Sequence, residues 1–335
     1  RGVVSVRSMR PFIEIPAADG TAEAIVARPD DDQPHPGVLL WMDAIGLRPR
    51  IEEMADRIAS LGYVVLAPNT FYRLGSAAEM SPPAGMDLTD PEQRAAYGQQ
   101  SFPRVAELTK ERTEADVAPF VAALRGLPGV ADGPIGTTGY CMGAKHATRA
   151  ACVDPSIAAC GGFHGAQVAS DQPDSPHLSL GSARAAFVYG HADKDRSMPP
   201  ESVELLDRTL TEHGLTATTA VYPDAPHGYT MTDTSSHQQA GEDRHWRELR
   251  ELLPDLEVEQ ALMQGFDDIT WMRIGDETVG LGGRGSDTVD DRVVALDALA
   301  QIFNANGEKP LQQASIQGWL GDRSLVLGSV SGARL

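Results

Sequence analysis

Residues 137–147 read TTGYCMGAKHA. Gly139 and Gly143 bracket Cys141 in the order G-x-C-x-G, between an apolar run, PIGTTGY, and a helical pattern, CMGAKHATRAACV. A residue on such a strand-to-helix corner is held in a strained backbone conformation, so its neighbours must be small. The start of the following helix offers free N–H groups, and its dipole favours a thiolate over a thiol. Cys141 is therefore either an exposed nucleophile or a small buried thiol flanked by glycines. The remainder of the chain decides between them.

Working outward from the corner, apolar runs alternate with helical patterns. GVLLWM at 37–42 and YVVLAP at 63–68 are short and nearly all apolar, as suits strands covered on both faces. Between them, IEEMADRIASLG places Ile51, Met54, Ala55, Ile58 and Leu61 on one helical face and stops at Gly62. The stretch RLGSAAEMSPPAGMDLTDPEQ at 73–93 reads as a long loop. Residues 113–124 are helical in pattern. After the corner, AACGGFHG, AAFVYG and TATTAVYP read as strands, and SVELLDRTLTEHG and EDRHWRELRELL as helices. Strands alternating with helices imply crossover connections, hence an α/β fold with a mainly parallel sheet flanked by helices. The alternation fades after about Leu256. Residues 9–256 are expected to form one domain, and 257–335 a C-terminal extension or small subdomain, with strands at DETVGLG and SLVLGSV and a helix near RVVALDALAQIF.

Composition narrows the function classes. The formal net charge of −19 argues against nucleic acid or an anionic membrane surface as partner, because phosphates would repel it. Nothing approaches the roughly 20 apolar residues of a membrane span. The opening RGVVSVRSMRPF lacks the apolar run of a secretory signal, and Met9 reads as a start. Cys141, Cys152 and Cys160 form no C-x-x-C pair, which fits a reduced, cytoplasmic protein. A monomer or homodimer is expected.

A nucleophile needs a base, and the base an orienting partner. Asp193 directly follows strand AAFVYG, in YGHADKDRSMPP, and His227 directly follows strand TATTAVYP, in YPDAPHGYT. Function in such sheets gathers at the carboxyl ends of strands. The chain order nucleophile, acid, histidine is that of an α/β-hydrolase. Asp193 would fix the imidazole tautomer, and His227 would take the thiol proton and later deliver one to the leaving group. The Met142 N–H would be one oxyanion donor, and the second should come from the loop after GVLLWM. Each piece has a plainer reading: a structural cysteine, a turn aspartate, a loop histidine. Their order and their shared position at strand ends favour the triad.

These residues resemble the dienelactone hydrolases (carboxymethylenebutenolidases) over roughly Met9 to Leu256. The similarity rests on PHPGVLLWMDAIGL, GYVVLAPNTFYR, GYCMGA, YGHADKD and DAPHGY. It implies Cys141, Asp193 and His227 as the triad and Ala44 as the second oxyanion donor. It also implies Asp43, at a place where the family more often has glutamate, as the carboxylate holding the resting thiol. By the same resemblance, arginines would bind the substrate carboxylate. Arg94 and Tyr97 in EQRAAY lie near one such place, Arg73 in FYR is a further candidate, and HGYTM has no arginine where another would fall. His164, at a strand end, would line the pocket, whereas His146 would project from the helix surface.

The expected activity is hydrolysis of a small ester or lactone through an acyl-enzyme, with no cofactor. A dienelactone opened to maleylacetate is the substrate that the resemblance implies. Another ester or a thioester, or a catalytically silent binding protein of the same fold, are the alternatives. GLGGRG at 280–285 satisfies G-x-G-x-x-G, but the chain has little room after it for a dinucleotide-binding unit, so it reads as a turn. His146 and His164 have no metal-ligand spacing, and no metal is expected.

Overall fold

The structure, a computed structural model, describes residues 9–253 and a strand pair at 270–274 and 277–281. Eight strands form one sheet: β1 (Ile13–Ala17), β2 (Gly20–Ala27), β3 (Gly37–Trp41), β4 (Val64–Pro68), β5 (Ile135–Tyr140), β6 (Ile157–Phe163), β7 (Ala186–Ala192) and β8 (Ala217–Tyr222). Their order is β1-β2-β4-β3-β5-β6-β7-β8. The pairs β1–β2 and β2–β4 are antiparallel and all others parallel.

The all-apolar runs are buried for a topological reason. Every residue of β3 and β4 is buried because helices cover both faces of the sheet. Alternate side chains of β3 enter opposite layers. Val38 and Leu40 pack with α1 (Pro49–Ala59) and α7 (Gln239–Leu252), whereas Leu39 and Trp41 pack with α4 (Lys110–Arg125), α5 (Met142–Val153) and α6 (Pro200–Glu212). The face predicted for α1 is the buried one: Ile51, Met54, Ala55 and Ile58 are fully enclosed. Each large side chain among them stabilises the layer by about 1.5–3 kcal/mol.

From β3 the chain steps outward to β4, then returns past β3 to β5 on its other side. That reversal opens a crevice at the carboxyl ends of β3 and β5, the place where such sheets bind ligands. The stretch 73–93 differs from its reading as a loop. It contains a one-turn helix, α2 (Ala77–Met80), closed by a reciprocal cap between Ser76 and Glu79. It also contains the start of α3 (Pro91–Ala106), where Asp90 caps the Glu92 and Gln93 N–H groups. Pro91 suits the first turn of that helix.

The chain divides into two units, Arg1–Glu259 and Gln260–Leu335. In the second, β9 (Thr270–Ile274) and β10 (Glu277–Leu281) pair antiparallel. Gly280 and Leu281 close β10; residues 282–285 of GLGGRG, RVVALDALAQIF and SLVLGSV lie outside the described residues. No helix among the described residues is long and apolar enough to cross a membrane.

The β5–α5 corner sets the tightest constraint on side-chain size. A methyl on Gly143 would lie 2.3 Å from the Trp41 carbonyl oxygen and 2.6 Å from that of Met42. Gly143→Ala is expected to cost about 1–3 kcal/mol or more, a fall of roughly 2–12 °C in Tm by calorimetry. Gly98→Ala, on α3, meets only Phe102 at 3.5 Å and should leave Tm unchanged or raise it.

Candidate active site

Cys141 occupies the corner between β5 and α5 with φ 57° and ψ −120°. That left-handed conformation is costly for a residue with a Cβ and persists only where its surroundings fix it. Here the surroundings are close. A methyl on Gly139 would lie 2.0 Å from the Gly143 carbonyl oxygen, so the turn closes only with glycine. The Cys141 N–H donates to the Phe163 carbonyl at 3.1 Å, and the Ala166 N–H donates to the Cys141 carbonyl at 3.1 Å. Both backbone groups are thus tied to β6 and the loop after it, and the side chain remains partly accessible.

His227 lies on the loop after β8. Its Nδ1 is 2.6 Å from Asp195 Oδ2, and the Cys141 sulfur lies close enough to act on the ring electrostatically. Burial alone would lower the imidazole pKa, but the Cys141 sulfur and the Asp195 carboxylate outweigh it and raise it to about 10. Asp195 is buried, and burial alone would raise its carboxyl. The His227 hydrogen bond, with Ser197 donating from Oγ at 2.7 Å and from N–H at 2.8 Å, holds it below the usual range instead.

The carboxylate that meets the His227 ring is therefore Asp195, and not Asp193 as expected from sequence. Asp193 accepts from the Asp224 N–H at 3.1 Å and donates its own N–H to the Ala225 carbonyl at 2.7 Å. It staples the loop after β7 to the loop after β8. Lys194, with φ 55°, turns the chain so that the second aspartate faces the imidazole. The available signal was the D-x-S pattern of Asp195 and Ser197, in which an aspartate accepts from the N–H two residues on.

Two residues border this group. His164, fully buried with φ 37°, sets its ring edge-on to His227 at 5.4 Å between centroids, and its Nε2 lies 2.8 Å from Thr230 Oγ1. Burial and the charge on His227 keep its pKa well below the ordinary value, so it is neutral. Arg94 on α3 is half-buried. Its Nη2 would stand 3.6 Å from a methyl on Gly228, next to His227, and among the described residues it forms no ion pair.

Several expected roles go elsewhere. Asp43, on the loop after β3, gives Oδ1 to Arg48 Nη1 at 2.6 Å and Oδ2 to Arg48 Nη2 at 3.0 Å. Arg48 thus engages both carboxylate oxygens. Tyr97, expected near the substrate, has a buried hydroxyl that donates to the Met80 carbonyl at 2.8 Å and lies 3.1 Å from the Ile45 carbonyl, bracing the loop that carries Ala44. Arg73 is held by Asp116 at 2.6 Å and Asp19 at 2.6 Å, over the Tyr72 ring, and braces the edge of the sheet. His146 is buried against Trp41 and does not project from the surface. Met142 opens α5, where a first-turn N–H has no acceptor within its own helix. Ala44 is buried one residue beyond Asp43.

The other two cysteines are chemically quiet. Burial pushes the Cys152 thiol up to about 12 and Cys160 well above its ordinary value. Among the described residues, no three His, Cys, Asp or Glu side chains gather as a metal site would require.

A profile of the Dienelactone hydrolase family matches residues 22–256. Proteins of Methylorubrum extorquens and Escherichia coli K12, both named "Putative carboxymethylenebutenolidase", are 23% and 25% identical to the chain. The first match covers 71% of this chain and 78% of the relative, the second 72% and 84%. Among solved structures, a "Putative Dienelactone Hydrolase" from Klebsiella pneumoniae superposes with a TM-score of 0.61 at 22% identity, covering 72% of this chain and 96% of that one. A dienelactone hydrolase-like promiscuous phosphotriesterase from metagenomic libraries gives 0.58 at 18% identity, covering 73% and 97%. At these identities the structural likenesses speak to the fold.

The geometry around His227 yields a direct measurement. NMR titration of its imidazole should show a pKa raised towards 10, falling by at least one unit in Asp195→Asn and unchanged in Asp193→Asn. Because folding raises this pKa, the group's contribution to stability is full below about 6.5. It is lost as pH climbs through about 10.

Proposed function

Because the chain belongs to the dienelactone hydrolase family, we propose that it hydrolyses small esters or lactones through an acyl-enzyme on Cys141. The observation that carries this reading is the contact series Cys141–His227–Asp195, anchored at a strained strand-to-helix corner and two neighbouring strand ends. The sulfur attacks the carbonyl carbon, and the Met142 and Ala44 N–H groups donate hydrogen bonds to the developing oxyanion. His227, holding a proton at neutral pH, gives it to the departing enolate or alkoxide oxygen as the C–O bond breaks. The neutral ring then takes a proton from water, whose oxygen attacks the thioester. The C–S bond then breaks and the acid product leaves, restoring the Cys141 sulfur beside a His227 that holds the proton taken from water. Asp195 stabilises the imidazolium through both steps without itself taking the proton.

Arg94 supports an anionic substrate, since a guanidinium beside His227 with no ion-pair partner among the described residues suits a carboxylate. A dienelactone opened to maleylacetate fits that requirement. A broader esterase or thioesterase is the second reading. It is favoured by Met231, four residues beyond His227, which offers a thioether to Arg48 where a second cation would strengthen carboxylate binding.

Cys141→Ala should abolish p-nitrophenyl acetate turnover, and one cysteine per chain should alkylate rapidly in the native protein. Asp195→Asn should lower kcat by roughly 100- to 10,000-fold, while Asp193→Asn should keep it within about threefold unless the loop staple fails. Full turnover by Cys141→Ala would refute the mechanism. Comparing cis- and trans-dienelactone with neutral aryl esters tests the substrate. Arg94→Gln should raise KM for the dienelactones by about tenfold or more and leave the neutral esters unchanged.

A further inference from the structure

We propose that Arg48 is a positioning residue for this reaction, clamping the loop that carries the Ala44 N–H to the loop that carries His227. The inference rests on the hydrolase reading above. Arg48 is 4% exposed, and each of its three nitrogens is engaged. Towards the loop after β3, Nη1 donates to Asp43 Oδ1 at 2.6 Å and the Gly46 carbonyl at 3.2 Å, and Nη2 donates to Asp43 Oδ2 at 3.0 Å. Towards the loop after β8, Nε donates to Asp233 Oδ2 at 2.5 Å, and Nη2 to Asp233 Oδ1 at 3.2 Å and to Met231 Sδ at 3.3 Å. One cation thus spans two carboxylates, one directly before Ala44 and the other six residues after His227.

Stability is a poor explanation for this arrangement. Taking charges out of water offsets most of their attraction, and apolar residues of similar volume often serve a core as well or better. Geometry is a better one. A guanidinium is a planar fork that fixes distance and angle to two partners at once, whereas an ammonium is a point charge on a flexible stem. The loop of residues 43–48 has no regular structure before α1 begins at Pro49. Tyr97 braces it at Ile45, on the side of α3. Arg48 links it to the loop that carries the proposed base. An oxyanion donor acts only when it stands about 2.7–3.1 Å from the developing charge, and a misplacement of about 1 Å costs on the order of 100-fold in rate.

The test compares two reactions of the full-length chain. Turnover of p-nitrophenyl acetate needs the oxyanion donors. Alkylation of Cys141 by iodoacetamide displaces iodide from a saturated carbon, forms no oxyanion, and reports on the Cys141–His227 pair alone. Arg48→Lys should lower kcat about 10- to 100-fold. KM should stay within about threefold and the alkylation rate within about twofold, since neither reads the displaced donor. Asp233→Asn, at the half-exposed end of the clamp, leaves Arg48 paired with Asp43 and covers the case in which the lysine variant does not fold. It should lower kcat about 3- to 10-fold with alkylation again unchanged. A folded variant with kcat within twofold of the parent would overturn the proposal. So would alkylation falling in parallel with kcat, because the loss would then lie in the thiol–imidazole pair. Turnover that survives Cys141→Ala instead defeats the hydrolase reading itself, a separate outcome read in the parent background.

Discussion

Three stretches of backbone meet at the β5–α5 corner more closely than any side chain permits. Gly143 presses on the Trp41 and Met42 carbonyls, and Gly139 presses on Gly143. This approach fixes where α5 leaves the sheet and forces Cys141 into its left-handed conformation. It also brings the nucleophile into the same crevice as the loop after β3. A strained residue of this kind costs about 1–3 kcal/mol. The packing of α5 offsets it: Ala144, Ala147, Ala150 and Ala151 are fully enclosed against β3, β5 and β6. Small residues let the helix lie close to the sheet, and the closeness holds the corner in place.

Charge around the crevice is organised in pairs. Asp195 is satisfied by Ser197 and His227, and Asp43 by Arg48. His227 is drawn towards its protonated form by groups on either side, while its neighbour His164 is kept neutral by burial. The two imidazoles are only 5.4 Å apart. At that distance, with the His164 ring fully buried, two positive charges would repel. Keeping one ring neutral is what lets the other hold a proton.

The helix α3 joins the site from outside the sheet. Tyr97 reaches the carbonyl of Ile45 in the loop after β3, and Arg94 reaches the surroundings of Gly228 in the loop after β8. One helix therefore braces the loop bearing the proposed oxyanion donor and presents a cation beside the proposed base. The short helix before it completes the brace. The Met80 carbonyl accepts from both Tyr97 and Arg104, and the Ser81 hydroxyl donates to the Leu47 carbonyl.

The alternation of apolar runs with helical patterns determined the layered α/β architecture, because burial on both faces leaves no other use for runs such as GVLLW and VVLAP. The glycines around Cys141 and the placement of His227 after β8 were equally legible, since a strained corner and a strand end each leave a local trace. α3 was obscured by the proline- and glycine-rich stretch before it, and its start shows only in the Asp90–Pro91 cap. The choice between Asp193 and Asp195 was not local. Both follow β7, and a single left-handed residue between them decides which carboxylate meets the imidazole. The engagement of Asp43, Tyr97 and Arg73 in structural contacts was likewise invisible, because their partners lie on other loops or helices. Sequence patterns record what a residue needs from its own segment; which carboxylate meets which cation is settled only when distant segments are brought within about 3 Å.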